Sequence, residues 1–162
     1  MSRVVAAARG WIGTPYVHQA SCKGAGCDCL GLIRGLWREL YGAEPEAPPA
    51  YTMDWSEPQG AEALWQAAAR HLLAKPLGEA AAGDVILFRM REGSVAKHLG
   101  LQSIAEERNA RAATVPLARA VKLAKGPAFI HAYAGHGVVE SPLSPPWQRR
   151  IVARFHFPKE LI

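Results

Sequence analysis

A chain of 162 residues, 49% hydrophobic and 20% charged, has apolar material for one domain's core and is not the charged, apolar-poor kind that stays disordered. Its net charge of +5, from 19 Lys and Arg against 14 Asp and Glu, favours an anionic partner, but the densest basic cluster is only Arg149-Arg150, which argues against specific nucleic-acid binding. No apolar stretch approaches the roughly 18 residues of a membrane-spanning helix, and the opening run Val4 to Ala8 stops at Arg9, too short for the core of a signal peptide, so the chain is expected to be made in a cytoplasm.

In chain order, residues 3 to 10 read as a short Ala-rich helix broken by Gly13-Thr14-Pro15-Tyr16. Residues 18 to 28 read as a polar loop, and Asp28 is a good N-cap for a helix beginning at Cys29. From Cys29 to about Tyr41 the apolar residues Leu32, Ile33, Leu36, Trp37 and Leu40 share one helical face, and Gly42 stops the helix. Residues 43 to 55, with Pro45, Pro48 and Pro49, read as an extended loop. Ser56 and Gln59 form a capping-box pattern, predicting a second amphipathic helix that runs to about Leu73 through Leu64, Trp65, Ala68 and Leu72, with Pro76 behind it. The second half turns strand-like, at Val85 to Phe88, residues 97 to 104, Ala128 to Tyr133, Val138 to Glu140 and Ile151 to Phe157. Helices first and strands second predict an α+β fold with an antiparallel sheet. Residues 105 to 126, basic and Ala-rich, read as an insertion between two strands of a single domain spanning 1–162.

The three cysteines, Cys22, Cys27 and Cys29, crowd one segment, and their odd number leaves at least one thiol free. A thiol attacks as its thiolate, and the free N–H groups at a helix start favour that anion. Cys29 alone follows the proposed cap, so helix placement singles it out as a nucleophile; if it pairs with His98, its thiolate is expected to persist well below the ordinary cysteine pKa of about 8.5. Its own N–H is also available to an oxyanion. The competing reading is a small buried hydrophobe. A metal site at His18, Cys22, Cys27 and Cys29 is not expected, because Cys-x-Cys lacks the usual knuckle spacing and no second half-site follows. Gly24-Ala25-Gly26 completes no phosphate-loop pattern. Of the six histidines, His98 and His131 lie in strand-like segments that can face the Cys29 helix, and either could supply a base.

Five segments in order carry a family resemblance: Gly13-Thr14-Pro15-Tyr16, Asp28-Cys29-Leu30-Gly31-Leu32, Gly83-Asp84-Val85-Ile86-Leu87-Phe88, Lys97-His98-Leu99-Gly100-Leu101 and Phe129-Ile130-His131-Ala132. They resemble the "GTPY", "DCSGL", "GDLVFF", "xHVGI" and "fIHA" motifs of the NlpC-type cell-wall peptidases, compact relatives of papain. The ending Val139-Glu140-Ser141-Pro142-Leu143, with Trp147 and Arg149-Arg150, resembles the branch carried in phage tails and gene transfer agents.

The resemblance implies a papain-like fold with the nucleophile at a helix N-terminus. It makes Cys29 the nucleophile, His98 its base and His131 the residue orienting His98. Tyr16 would stand near the thiolate to help substrate or oxyanion, and Asp28 would help hold a free amino group of the substrate. Leu30 replaces the family's usual Ser. The implied substrate is a peptidoglycan stem peptide, cut between D-γ-glutamate and a diamino acid without metal or cofactor. The implied partners are tail or baseplate proteins that carry the chain to the cell wall for DNA delivery. The rivals are an amidase or acyltransferase on the same scaffold, and a tail structural module with a decayed peptidase fold.

Overall fold

The computed structural model describes residues 2–46, 48, 51, 62–105 and 126–158. Helix α1 (Arg3–Arg9) leads into a hairpin of β1 (Ser21–Cys22) and β2 (Gly26–Cys27), followed by α2 (Cys29–Tyr41) and α3 (Ala63–His71). Strands β3 (Leu73–Lys75), β4 (Val85–Phe88), β5 (His98–Ile104), β6 (Ala128–Tyr133), β7 (Gly137–Pro142) and β8 (Ile151–His156) come next, with the short helix α4 (Pro145–Gln148) between the last two. They form one six-stranded sheet in the order β3-β8-β4-β5-β6-β7, every pairing antiparallel. The class is α+β, as expected.

Period-two alternation explains how the sheet buries both faces. In β4, Val85 and Leu87 join the main core with Val5, Ala8, Leu32, Leu36, Leu101 and Ile130, while Ile86 and Phe88 join a second cluster with Phe129 and Leu143. Helix α2 presents Leu32, Ile33 and Leu36 to the main core at helical spacing. Gly35 lets Trp11 lie against that helix, since a Cβ there would overlap the indole ring. The indole N–H then donates to Glu39 at 3.0 Å. Across the sheet, buried Asp84 accepts from Lys75 at 2.9 Å and from Arg154 at 3.0 Å, and Arg154 also donates to Gln102. A buried charge is tolerated only when paired in this way.

Three elements depart from the sequence expectation. The 18–28 segment holds the β1–β2 hairpin, with Cys22 opposite Gly26. The second long helix stops at His71. Leu72 turns extended (φ −108°, ψ 160°) and Leu73 pairs with His156 in β3. Cross-strand pairing thus takes the residue at which the helix was expected to end. Its expected capping box, Ser56 and Gln59, lies outside the described residues, as do residues 106–125 of the expected insertion. The helix begins after Glu62 with no side-chain cap. Finally, Pro145-Pro146-Trp147-Gln148 forms α4, which the sequence reading lacked.

Candidate active site

Asp28 sets the geometry of the nucleophile segment. It is extended (φ −102°, ψ −172°), and its Oδ1 accepts from the N–H of Gly31 at 2.7 Å, capping α2 as expected. Its Oδ2 accepts from the N–H of Gln19 at 2.7 Å and from the Tyr51 hydroxyl. Gln19 has φ 65°, a left-handed conformation that this carboxylate bond helps hold. His18 Nδ1 lies 3.8 Å from the same oxygen, and His18 Nε2 lies 2.9 Å from the Tyr51 carbonyl oxygen. Gly31 is needed because a Cβ there would collide with the Ala20 carbonyl oxygen. The loop and the helix start are therefore packed backbone to backbone.

Cys29, the first residue of α2, is 7% exposed. Its Sγ lies 3.9 Å from the carbonyl oxygen of Lys97, and the backbone N–H groups of Leu99, Leu30 and Cys29 favour its anion. The sulfur thus meets the backbone on either side of His98. Cys29 and His98 line one cleft of about 320 Å³ with Tyr16, His18, Asp28, Tyr51 and Tyr133. Nε2 of His98 is 2.8 Å from Nδ1 of His131, and Nε2 of His131 is 3.1 Å from Oγ of Ser141. Pleating accounts for the last contact. His131 faces Val139 across β6 and β7, so Ser141, two residues on, is its diagonal neighbour. Trp147 of α4 covers this row, its ring centroid 5.7 Å from His98 and 5.2 Å from His131, and the Arg150 guanidinium lies 5.2 Å over the indole.

The electrostatics correct one sequence expectation. Burial, and then the Asp28 carboxylate, push the Cys29 thiol up to about 12. The helix-start N–H groups act in the expected direction but are outweighed. Burial, and then His131, press His98 down to about 3. Burial, and then His136, press His131 down to about 4. Burial thus opposes the charged form of the thiol and of both imidazoles, against the direction in which the helix start acts. Tyr16 is held up at about 12 by burial and by Cys29, so its hydroxyl keeps its proton and can donate.

All five sequence-designated residues, Cys29, His98, His131, Tyr16 and Asp28, thus gather at or against one cleft. His136 instead stacks on Tyr133 in the exposed turn. Sequence reasoning passed over His18 as a cleft residue and did not single out Tyr51 or Ser141. His18 stands two residues after Tyr16 in a turn, and it is the fold of that turn that sets it beside Asp28. Tyr51 had no local signal, since only the fold brings it to Asp28. Cys22 is exposed and Cys27 buried, and all three thiols are free. Among the described residues no group of three or more His, Cys, Asp or Glu side chains is arranged to hold a metal ion.

Residues 13–155 match the model of the NlpC/P60 family. The fold is similar to that of a Staphylococcus aureus protein described as similar to lipoprotein, of the NLP/P60 family (TM-score 0.54, 18% identity, covering 95% of this chain and 40% of that one). It is also similar to that of an NlpC/P60 family protein of Bacillus cereus (TM-score 0.56, 18% identity, covering 95% of this chain and 39% of that one). The chain therefore spans about 40% of the length of these structural relatives. No curated protein matches it in sequence.

Proposed function

The chain belongs to the NlpC/P60 family, whose members are generally cell-wall peptidoglycan hydrolases, and from this and the site's geometry we propose that it is a cysteine endopeptidase of peptidoglycan stem peptides. The observation that carries the proposal is the 2.8 Å contact of His98 with His131 in the cleft that holds Cys29. With Nε2 engaged by His131, the nitrogen of His98 left for the thiol is Nδ1. As Cys29 attacks the substrate carbonyl carbon, its proton passes to His98 and an S–C bond forms. The oxyanion is met by the Cys29 N–H and the Tyr16 hydroxyl. The C–N bond then breaks, and the departing amine takes the proton from His98. In the second half, His98 removes a proton from water as its oxygen attacks the thioester. The S–C bond breaks, and the proton returns to sulfur. Starting from a neutral pair, proton transfer accompanies attack at each stage.

The bond proposed is that between D-γ-glutamate and a diamino acid. Its support is the resemblance of the motif segments. Asp28, His18 and Tyr51 form the wall on which a free amino group of the stem would rest, with the Asp28 charge as its attraction. The proposal extends to the place of action, a phage-like tail or baseplate where the protein opens the wall for DNA delivery, with tail proteins as partners. That part is supported by the resemblance of the 139–150 segment. The deciding experiment is mass spectrometry of purified peptidoglycan digested by wild type and by Cys29→Ala. New stem-peptide termini at the γ-glutamyl bond with wild type alone are expected. Release of whole stems from the glycan indicates an amidase instead, and no cleavage by either protein refutes the enzymatic reading. Purified particles containing the chain, and impaired delivery on its deletion, test the location.

A further inference from the structure

The hydroxyl of Ser141 ends the row His98–His131–Ser141 that leads away from the cleft holding Cys29, and the proposed chemistry gives it no part. Yet the row has a direction. For His98 to take a proton from Cys29, its Nδ1 must be bare, so its Nε2 carries the hydrogen and donates to Nδ1 of His131 at 2.8 Å. His131 must then be bare at Nδ1 and carry its own hydrogen on Nε2, which needs an acceptor. Ser141 Oγ stands 3.1 Å from that nitrogen. In the opposite tautomer, His131 would donate to His98, leaving His98 with its hydrogen toward the sulfur and unable to act as a base. His131 is 1% exposed, so bulk water does not choose between the tautomers freely. A hydroxyl can both accept and donate, so it is the need for a bare Nδ1 on His98 that gives the row its direction, and Ser141 Oγ is placed to serve it as the acceptor.

We propose that Ser141 is a positioning residue that accepts from Nε2–H of His131, supporting the tautomer in which His131 takes the Nε2–H of His98 and His98 stays ready as a base. The inference rests on the peptidase reading for its kinetic consequence, but its tautomer can be read without any substrate. Ser141 is half-buried on β7, at the sheet's edge, and its backbone pairs with Phe129 whatever its side chain. Replacement by Ala or Thr should therefore leave the fold intact. Trp147, which covers the same row, is left in place as a check on packing.

The experiment combines NMR of the histidine ring nitrogens with steady-state kinetics on a stem peptide, for wild type, Ser141→Ala and Ser141→Thr. In wild type, His131 is expected to carry its hydrogen on Nε2 and to be bare at Nδ1. Ser141→Ala should mix the tautomers and lower kcat by about tenfold, the weight of one ordinary hydrogen bond, with KM little changed. Ser141→Thr, which keeps the hydroxyl, should restore both. Wild-type His131 protonated at Nδ1, a spectrum unmoved by Ser141→Ala, or a moved spectrum with unchanged kcat would each overturn the proposal. If wild type cleaves no stem peptide, the peptidase reading fails, and the spectra still decide the tautomer.

Discussion

Replacing Asp28 by Asn separates two effects that one carboxylate produces together. The change is nearly isosteric, and Asn is as good an N-cap as Asp, so its carbonyl oxygen can keep the 2.7 Å bond from the Gly31 N–H. The amide nitrogen then replaces Oδ2, which now accepts from the Gln19 N–H and the Tyr51 hydroxyl. The hydroxyl can rotate to accept, but the N–H cannot. One partly buried donor is left without its partner in a residue already at φ 65°, a loss of about 1–3 kcal/mol. With a urea slope of about 2 kcal/mol/M, the unfolding midpoint should fall by roughly 0.5–1.5 M. The thiol, by contrast, should become easier to ionise. The Asp28 charge is the second cause, after burial, of the elevated Cys29 pKa, so removing it lowers that pKa. The pH profile of Cys29 alkylation by iodoacetamide should shift toward lower pH in a protein that is less stable. Wild-type alkylation, in turn, should be slow at neutral pH and rise only in alkali. A fast, pH-independent wild-type reaction at mildly acidic pH, or an Asp28→Asn profile displaced upward, would refute this account of the site's electrostatics.

Acid should destabilise the protein through its two buried imidazoles. His98 and His131, depressed to about 3 and about 4 from 6.5, contribute stability that is full above the unfolded value and lost as pH falls toward the folded ones. Between about pH 6 and 4 the unfolded chain binds up to two more protons, a slope approaching about 3 kcal/mol per pH unit, which urea titrations at stepped pH measure and which His131→Asn should roughly halve. Cys29→Ala should abolish hydrolysis in a folded protein, while Cys22→Ala, exposed, and Cys27→Ala keep substantial activity, as initial rates on a stem peptide will read. His131→Ala should lose roughly a hundredfold or more in kcat and His136→Ala little, because only His131 touches His98. Gly31→Ala should cost about 1–3 kcal/mol or more and most of the activity, since the new Cβ meets the Ala20 carbonyl beside Cys29. Gly78→Ala, with nothing near it, should stay within about 0.5 kcal/mol in the same denaturation assay.

Local pattern sufficed wherever one element fixes a residue's role. Leu32, Ile33 and Leu36 mark a helical face by spacing, Asp28 marks its start by side-chain chemistry, and the strand segments at Val85, His98 and Ala128 stand where alternation and apolar runs put them. From these, and from five short motifs in order, the sequence by itself determined the α+β class and pointed to the helix-start cysteine and strand histidines that the fold brings to one cleft. Short-range pattern was too brief for the three-residue β3, where Leu73, the expected end of the helix, instead pairs with His156 of β8. The tertiary structure alone decided what depends on long-range approach. Tyr51 reaches Asp28 across 23 positions, Trp147 closes over His98 and His131, and Ser141 becomes the diagonal neighbour of His131 through the register of β6 and β7. It also decided the sign of the nucleophile's shift. A helix start read from sequence promises a stabilised thiolate, but desolvation depends on how many neighbours surround the sulfur, and no local pattern reports that number. Around Cys29 burial, with the Asp28 charge beside it, opposes loss of the thiol proton and outweighs the helix-start N–H groups.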